Sequence, residues 1–303
     1  MTSIADIVPL TPVKVAVRLR PFRKSEKEEG SKSIITINNE KRQCQITNPT
    51  NGEIKAFTFD YVYDSFVDPN HTNHASQETI WNDIGSDLLD ACMSGYNFTC
   101  FATGQTGSGK SHSMLGFGEA DENKGILPRA CDSIFEKINN YKIEARNKES
   151  DGIGEGNDDE DTHFKVKVSM LEIYNEKIRD LFVPLSRQDR AGLKIRDSPK
   201  TGAYVDGLKK ISVESVEQIR RLMDFGTRNR TIAATNMNET SSRAHTIFTV
   251  TFIRTTVNKT TLKASDKTSL INLVDVSTKC VSIHLCLLFV LFACVRFFSQ
   301  ISQ

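Results

Sequence analysis

Apolar and polar positions alternate with a period of two at the start of the chain. Val13, Val15, Val17 and Leu19 interleave with Lys14, Ala16, Arg18 and Arg20, which predicts a half-buried strand that Pro21 ends. Ile35–Ile37, Cys44–Thr47 and Ala56–Tyr63 read as short strands of a small antiparallel lobe, separated by Asn, Gly and Pro turns. The period then changes. Ser76 is a helix N-cap, Glu78 suits the first turn, and Ile80, Ile84, Leu88 and Cys92 form one apolar stripe that Gly95 closes. Phe98–Ala102 follows as a short apolar strand.

Further on, Pro128 opens a helix to about Asn139 with Ala130, Ile134 and Ile138 inward. Phe164, Val166, Val168 and Met170 alternate as a strand, and Glu172–Phe182 predicts a short helix. Leu193–Lys210 has hairpin character around Pro199 and Gly202, with five basic residues against two acids. Val216–Phe225 is an amphipathic helix with Ile219, Leu222 and Met223 on one face, and Thr246–Phe252 is a strand. Leu270–Asp275 is a near-continuous apolar run ending in one acid, as a buried parallel strand presents a carboxylate at its C-terminal edge.

Composition bounds this picture. At 303 residues the chain has ample core for one large α/β domain or two small ones. A formal charge of +1 gives no global footprint for nucleic acid or an anionic membrane. Seven cysteines without metal-type pairing, and no N-terminal signal sequence, point to a reducing cytosolic setting. Residues 148–161 hold seven acids, one Lys and no aromatic, which predicts a solvated, disordered insert without Ca²⁺-loop spacing.

The chemistry concentrates in Gly104-Gln105-Thr106-Gly107-Ser108-Gly109-Lys110-Ser111, a full phosphate-loop string directly after the Phe98–Ala102 strand. Its glycines let the backbone wrap closely enough for N–H groups to face phosphate oxygens. Lys110 would bring a point charge to the β- and γ-phosphates, and the Ser111 hydroxyl would coordinate Mg²⁺. The Arg18-Leu19-Arg20-Pro21 strand end is a candidate wall for a purine. Thr235–His245 is a hydroxyl-rich loop whose Ser241 and Ser242 are candidates to sense a γ-phosphate and its Mg²⁺. Asp275 stands where a Mg²⁺-associated carboxylate of a phosphate-loop NTPase belongs. A generic phosphate-loop ATPase or GTPase is the reading outside any particular family, and no guanine-type Asn-Lys-x-Asp signature appears.

Together VRLRP at 17–21, GQTGSGKSHSM at 104–114, NETSSRAH at 238–245 and LVD at 273–275 resemble the kinesin motor domain over about residues 10–279. NHASQ at 73–77, DIG at 83–85 and TIAATNMNETSSR at 231–243 look most like the vesicle-carrying subfamily with forkhead-associated domains. The resemblance implies a motor core with a central, mostly parallel sheet flanked by helices, ATP and Mg²⁺ as ligands, and microtubule-stimulated ATP hydrolysis in the cytoplasm. It implies that Arg18, Arg20 and Pro21 border the adenine, that His112 stacks on it, and that Gly104–Ser111 hold the phosphates. Asn238, Ser241 and Ser242 would form switch I, with Ser242 beside Ser111 at the Mg²⁺. Arg243 would pair with a switch II glutamate, and Asp275 would open switch II, reaching the metal through water. The basic 194–210 hairpin lies where kinesins make a secondary contact to tubulin.

The chain departs from that pattern after Asp275. Kinesins continue Leu-Ala-Gly-Ser-Glu; this chain reads Val276-Ser277-Thr278-Lys279-Cys280, and Ala244 stands where switch I usually has Ser. Residues 280–303 carry three of the seven cysteines. They form a hydrophobic tail expected to be aberrant, from read-through or alternative splicing, with the main microtubule-binding elements lost. Its run His284–Val295, 12 residues, would span about 18 Å as a helix against a hydrocarbon core of about 30 Å. A helix packed where switch II elements belong is therefore expected rather than a membrane anchor. The resulting expectation is a kinesin-like motor over 11–279, after a flexible 1–10, with impaired activity. A non-motile ATP-binding fragment is the alternative.

Overall fold

The computed structural model describes residues 13–118, 120–150, 160–189, 191–199, 202–236, 244–276 and 289–298. The alternating stretch at the start is strand β1 (Lys14–Leu19), its last four residues buried. A short helix α1 (Lys24–Glu28) follows. Strands β2 (Ile35–Asn38), β3 (Gln43–Thr47) and β4 (Ile54–Thr58) form a separate three-stranded antiparallel sheet. The expected Ala56–Tyr63 strand is two strands instead. Residues 54–58 stay in the lobe, while β5 (Tyr61–Asp64) crosses to the central sheet and runs parallel to β1.

Helix α2 (Gln77–Ser94) forms as its sequence dictates. Ser76 accepts a hydrogen bond from the Thr79 amide, Ile80, Ile84, Leu88 and Cys92 are buried, and Gly95 ends the helix at φ 88°. Strand β6 (Tyr96–Thr103) leads through the glycine-rich turn into helix α3 (Lys110–Met114). Helix α4 (Ile126–Ser150) keeps Pro128 in its first turn and Ala130, Ile134 and Ile138 in the core. It runs well past Asn139 into the acidic stretch. The other end of that stretch starts strand β7 (Glu160–Tyr174). Residues 148–150 and 160–161 are therefore regular structure, and the rest of the expected insert lies outside the described residues.

The Glu172–Phe182 stretch is not a helix. Asn175 and Glu176 take φ 47° and 62°, a turn of left-handed residues that folds β7 onto β8 (Lys177–Asp180) as a hairpin. Strands β9 (Lys194–Ser198) and β10 (Gly202–Asp206) make the expected basic hairpin. Strand β11 (Ile211–Val213) precedes helix α5 (Val216–Asn236), and β12 (His245–Asn258) and β13 (Ala264–Asp275) complete the long antiparallel ribbon. Helices α2, α4 and α5 form one layer: α2 packs on α4, β6 and β13, and α5 packs on α4, β7 and β11. Phe98, Phe248, Phe252, Leu88, Ile134 and Ile219 fill the space between layer and sheet.

Two features of the central sheet differ from expectation. Its order is β11-β7-β12-β13-β6-β14-β1-β5, and among the described residues only β1 with β5 and β6 with β13 run parallel. The sheet is mixed rather than mostly parallel, because hairpins join β7 to β8 and β12 to β13, and β12 pairs antiparallel with β7. The second difference is the tail. Residues expected as a helix contribute strand β14 (Phe289–Phe298), which lies between β1 and β6 and pairs antiparallel with both. The segment is rich in Phe and Val, and the strands on each side of that slot otherwise expose unpaired backbone groups. No described helix is long and apolar enough to cross a membrane.

Pairing on both sides gives a direct test. Amides of Leu291–Ala293 should exchange with deuterium as slowly as those of Val15–Val17, their partners in the ladder. Exchange at the rate of a free tail would contradict the placement of β14.

Candidate functional site

The site grows from the C-terminal edge of two parallel strands. β6 and β13 are in register with Ala102 opposite Asp275, and the Val276 amide donates to the Ala102 carbonyl at 2.8 Å. The turn leaving β6 and the acid ending β13 therefore emerge side by side. Gly107 and Gly109 take φ 79° and 102°, which lets the chain curl back over the strand end. The Ser111 hydroxyl at the start of α3 donates to Asp275 Oδ2 at 2.8 Å. Residues 164 positions apart meet there, as the sequence pattern requires.

Lys110 lies across the same turn. Its ammonium donates to the Gly104 carbonyl at 2.7 Å and to the Gln105 carbonyl at 3.1 Å. Burial pulls its pKa below the usual lysine range; the charge of Asp275 opposes that shift and Arg230 adds to it. Ser108 is completely buried, and its hydroxyl has no hydrogen-bond partner among the described residues. A turn that leaves a polar group unsatisfied while concentrating cation and left-handed glycines is shaped for an anion rather than for itself. Those features fit a nucleotide phosphate chain.

Beneath the turn lies a polar strut that the sequence reading did not anticipate. Arg18 was expected at the adenine, but it is 6% exposed and faces inward from β1. Its Nε donates to Ser65 Oγ at 2.9 Å, and its Nη1 donates to Gln77 Oε1 at 2.6 Å and Ser113 Oγ at 2.9 Å. Gln77 Nε2 in turn donates to the His112 carbonyl at 2.7 Å, and Ser65 donates to the Ala75 carbonyl at 2.6 Å. One guanidinium thus joins β1, the segment after β5, the first turn of α2, and α3. Burial lowers its pKa to about 10, so it stays charged at neutral pH. Arg18 supports the site through these buried contacts.

Arg20 is also engaged, in a bidentate pair with Glu26 at 2.6 and 2.8 Å. Pro21 is exposed, and so is His112, which leaves their flat apolar surfaces accessible. Partial loss of water on the ring side that faces Gln77, and then the charge of Arg18, depress the His112 pKa below 6.5, so its ring is neutral near pH 7. Asn238, Ser241, Ser242 and Arg243 lie outside the described residues, as do Thr278 and Cys280. Nearby, buried Glu172 stands 3.8 Å from both Arg179 and Arg230, and Arg230 lies on α5. The sequence offered little sign of Ser65, Gln77 or Glu172, because each reads as an ordinary polar residue until the fold buries it. Among the described residues, no three His, Cys, Asp or Glu side chains form a metal-binding group.

The family model described as "Kinesin motor domain" matches residues 18–279. The chain belongs to the kinesin motor-domain family. It is 42% identical over 274 residues to Kinesin-related protein 1 of Dictyostelium discoideum, covering 88% of this chain and 12% of that protein. It is also 42% identical over 267 residues to Kinesin-like protein KIF1B of Rattus norvegicus, covering 88% of this chain and 14% of that one. KIF1-type kinesins are thus among its relatives, as the subfamily resemblance anticipates. The chain spans about an eighth of the length of these relatives. A solved structure of a fast kinesin matches with TM-score 0.69 and 32% identity over 90% of this chain and 67% of that one. A KIF14 structure, with ADP in complex with a microtubule, matches with TM-score 0.69 and 34% identity over 86% of this chain and 68% of that one. The kinesin core therefore supplies the mixed sheet and helix layer on which the phosphate loop stands.

Two outcomes follow from the strut. Arg18→Lys keeps a charge but cannot span three buried acceptors, so it should cost about 2–4 kcal/mol in denaturant unfolding; an unchanged midpoint would contradict the buried geometry. His112 titrates below 6.5 when folded, so the unfolded chain binds the proton first and stability falls as pH drops through that value. Denaturant midpoints between pH 7.5 and 5.5 should show that slope, and His112→Gln should reduce it; equal slopes would refute the shifted histidine.

Proposed function

We propose that this chain is an ATP-binding kinesin motor domain whose hydrolysis and microtubule coupling are impaired. The single observation that supports the reading best is the 2.8 Å contact of Ser111 with Asp275 beside the Lys110 turn. ATP, when bound with Mg²⁺, supplies the transferable γ-phosphoryl group and its countercharge. Gly104–Ser111 would hold the phosphates, and Lys110 would carry the charge that meets them. Ser111 would be the Mg²⁺ ligand with Ser242, and Asp275 would reach the metal through water. A Mg²⁺ site keeps several waters and few protein ligands, which suits a site without a three-residue cluster. Exposed His112 and Pro21 would border the adenine, with Arg20 close behind. Asn238, Ser241 and Ser242 would close on the γ-phosphate, with Arg243 linking switch I to switch II.

Impairment follows from the string after Asp275. Thr278 stands where kinesins place the glycine whose N–H meets the γ-phosphate, and Cys280 stands where they place the glutamate that pairs with Arg243. Thr278 brings a Cβ where that glycine has none, and Cys280 brings no carboxylate for Arg243. Positioning of the attacking water then suffers. The same string favours the second reading, a chain that holds ATP without moving. The basic β9–β10 hairpin, with Lys194, Arg196, Lys209 and Lys210, is the surface this reading assigns to acidic tubulin in the cytoplasm.

Purified chain should bind Mg²⁺-ATP, and Lys110→Ala should abolish most of that binding. Its basal ATPase should stay within about twofold when microtubules are added, while Thr278→Gly with Cys280→Glu should raise that stimulation. Strong stimulation of the unaltered chain would overturn the impairment, and no ATP binding would overturn the proposal as a whole.

A further inference from the structure

Arg23 follows the strand whose arginines the sequence singled out, yet no part of the site as described uses it. Its Nη2 donates to the Gly107 carbonyl at 2.9 Å, reaching the phosphate loop from the outside. The approach is close: a Cβ on Gly107 would sit 1.7 Å from that same nitrogen. The peptide joining Gly107 to Ser108 is held from its other end too, where the Ser108 amide donates to the Gln105 carbonyl at 3.1 Å. That carbonyl is one of the two that receive Lys110. The orientation of one peptide plane is therefore linked to the position of the loop's ammonium.

Arg23 is itself placed by its neighbours. Glu26 accepts the Arg23 backbone N–H at 2.7 Å and the bidentate guanidinium of Arg20. Those hydrogen bonds, Arg20 first, hold the Glu26 carboxyl down to about 2. The nearest approach of the Arg23 side chain to Glu26 is 3.9 Å, outside hydrogen-bond range. Glu26 thus spends its charge on Arg20 and its second role on pinning the start of α1, which leaves the Arg23 guanidinium to the loop. That side chain is 54% exposed, so it has no part in the core.

We propose that Arg23 is a positioning residue for nucleotide binding, which fixes the Gly107–Ser108 peptide and through it the Gln105 carbonyl and Lys110. The proposal rests on the ATP-binding reading above. Its test is equilibrium titration of the full chain with a fluorescent ATP analogue, with hydrogen exchange of the loop measured without nucleotide. Arg23→Ala should lower affinity about three- to tenfold, the scale of one ordinary hydrogen bond. The Ser108 amide should exchange faster in the same variant, and Arg23→Lys should recover part of both effects. Lys24→Ala, at a neighbouring residue 92% exposed, should change neither.

Equal behaviour of Arg23→Ala and Lys24→Ala would overturn the inference while the native chain still binds. Lost affinity with unchanged Ser108 exchange would overturn it as well, since Arg23 would then touch the nucleotide directly. A native chain that binds no analogue would overturn both the inference and the reading beneath it.

Discussion

A buried positive charge governs how this molecule presents its site. Arg18 gives up water to sit under the phosphate loop, and the cost of that desolvation is offset by the hydrogen bonds its donors make. Ser65, Gln77 and Ser113 supply them from three different segments. The strut therefore fixes α3 relative to β1 and α2, and α3 carries Ser111. The parallel register of β6 with β13 does the rest by delivering Asp275 to the same place. Backbone ladder and buried guanidinium together set the distance between two side chains that belong to remote parts of the chain.

Much of this was legible in the residues. The glycine spacing named the loop, the apolar run named the strand that ends in Asp275, and their meeting at Ser111 follows from both. Ser76, the Ile80–Cys92 stripe and Gly95 likewise specified α2, because capping and period are local properties. The misreadings have a common physical source. Arg18 read as part of a purine wall because its buried partners are single polar residues scattered over the sequence. Glu172–Phe182 looked helical because a turn through Asn175 and Glu176 has no glycine to announce it. Arg23 carried no signal at all, since its role depends on where α1 lands against Gly107.

The tail shows how strongly an open sheet recruits a strand. His284–Val295 has no period that separates helix from strand, so its neighbours decide. Between β1 and β6 the backbone groups of two strands need partners, and Phe289–Phe298 supplies them antiparallel. A hydrophobic segment that looked foreign to the fold thus becomes the strand next to the one that carries the phosphate loop.

Affinity for Mg²⁺-ATP in native and Arg18→Lys chains, compared at a temperature where both remain folded by circular dichroism, tests the central claim most directly. If the buried guanidinium holds α3 beneath the loop, the variant should bind at least about tenfold more weakly. Equal affinity in the two folded chains would contradict it.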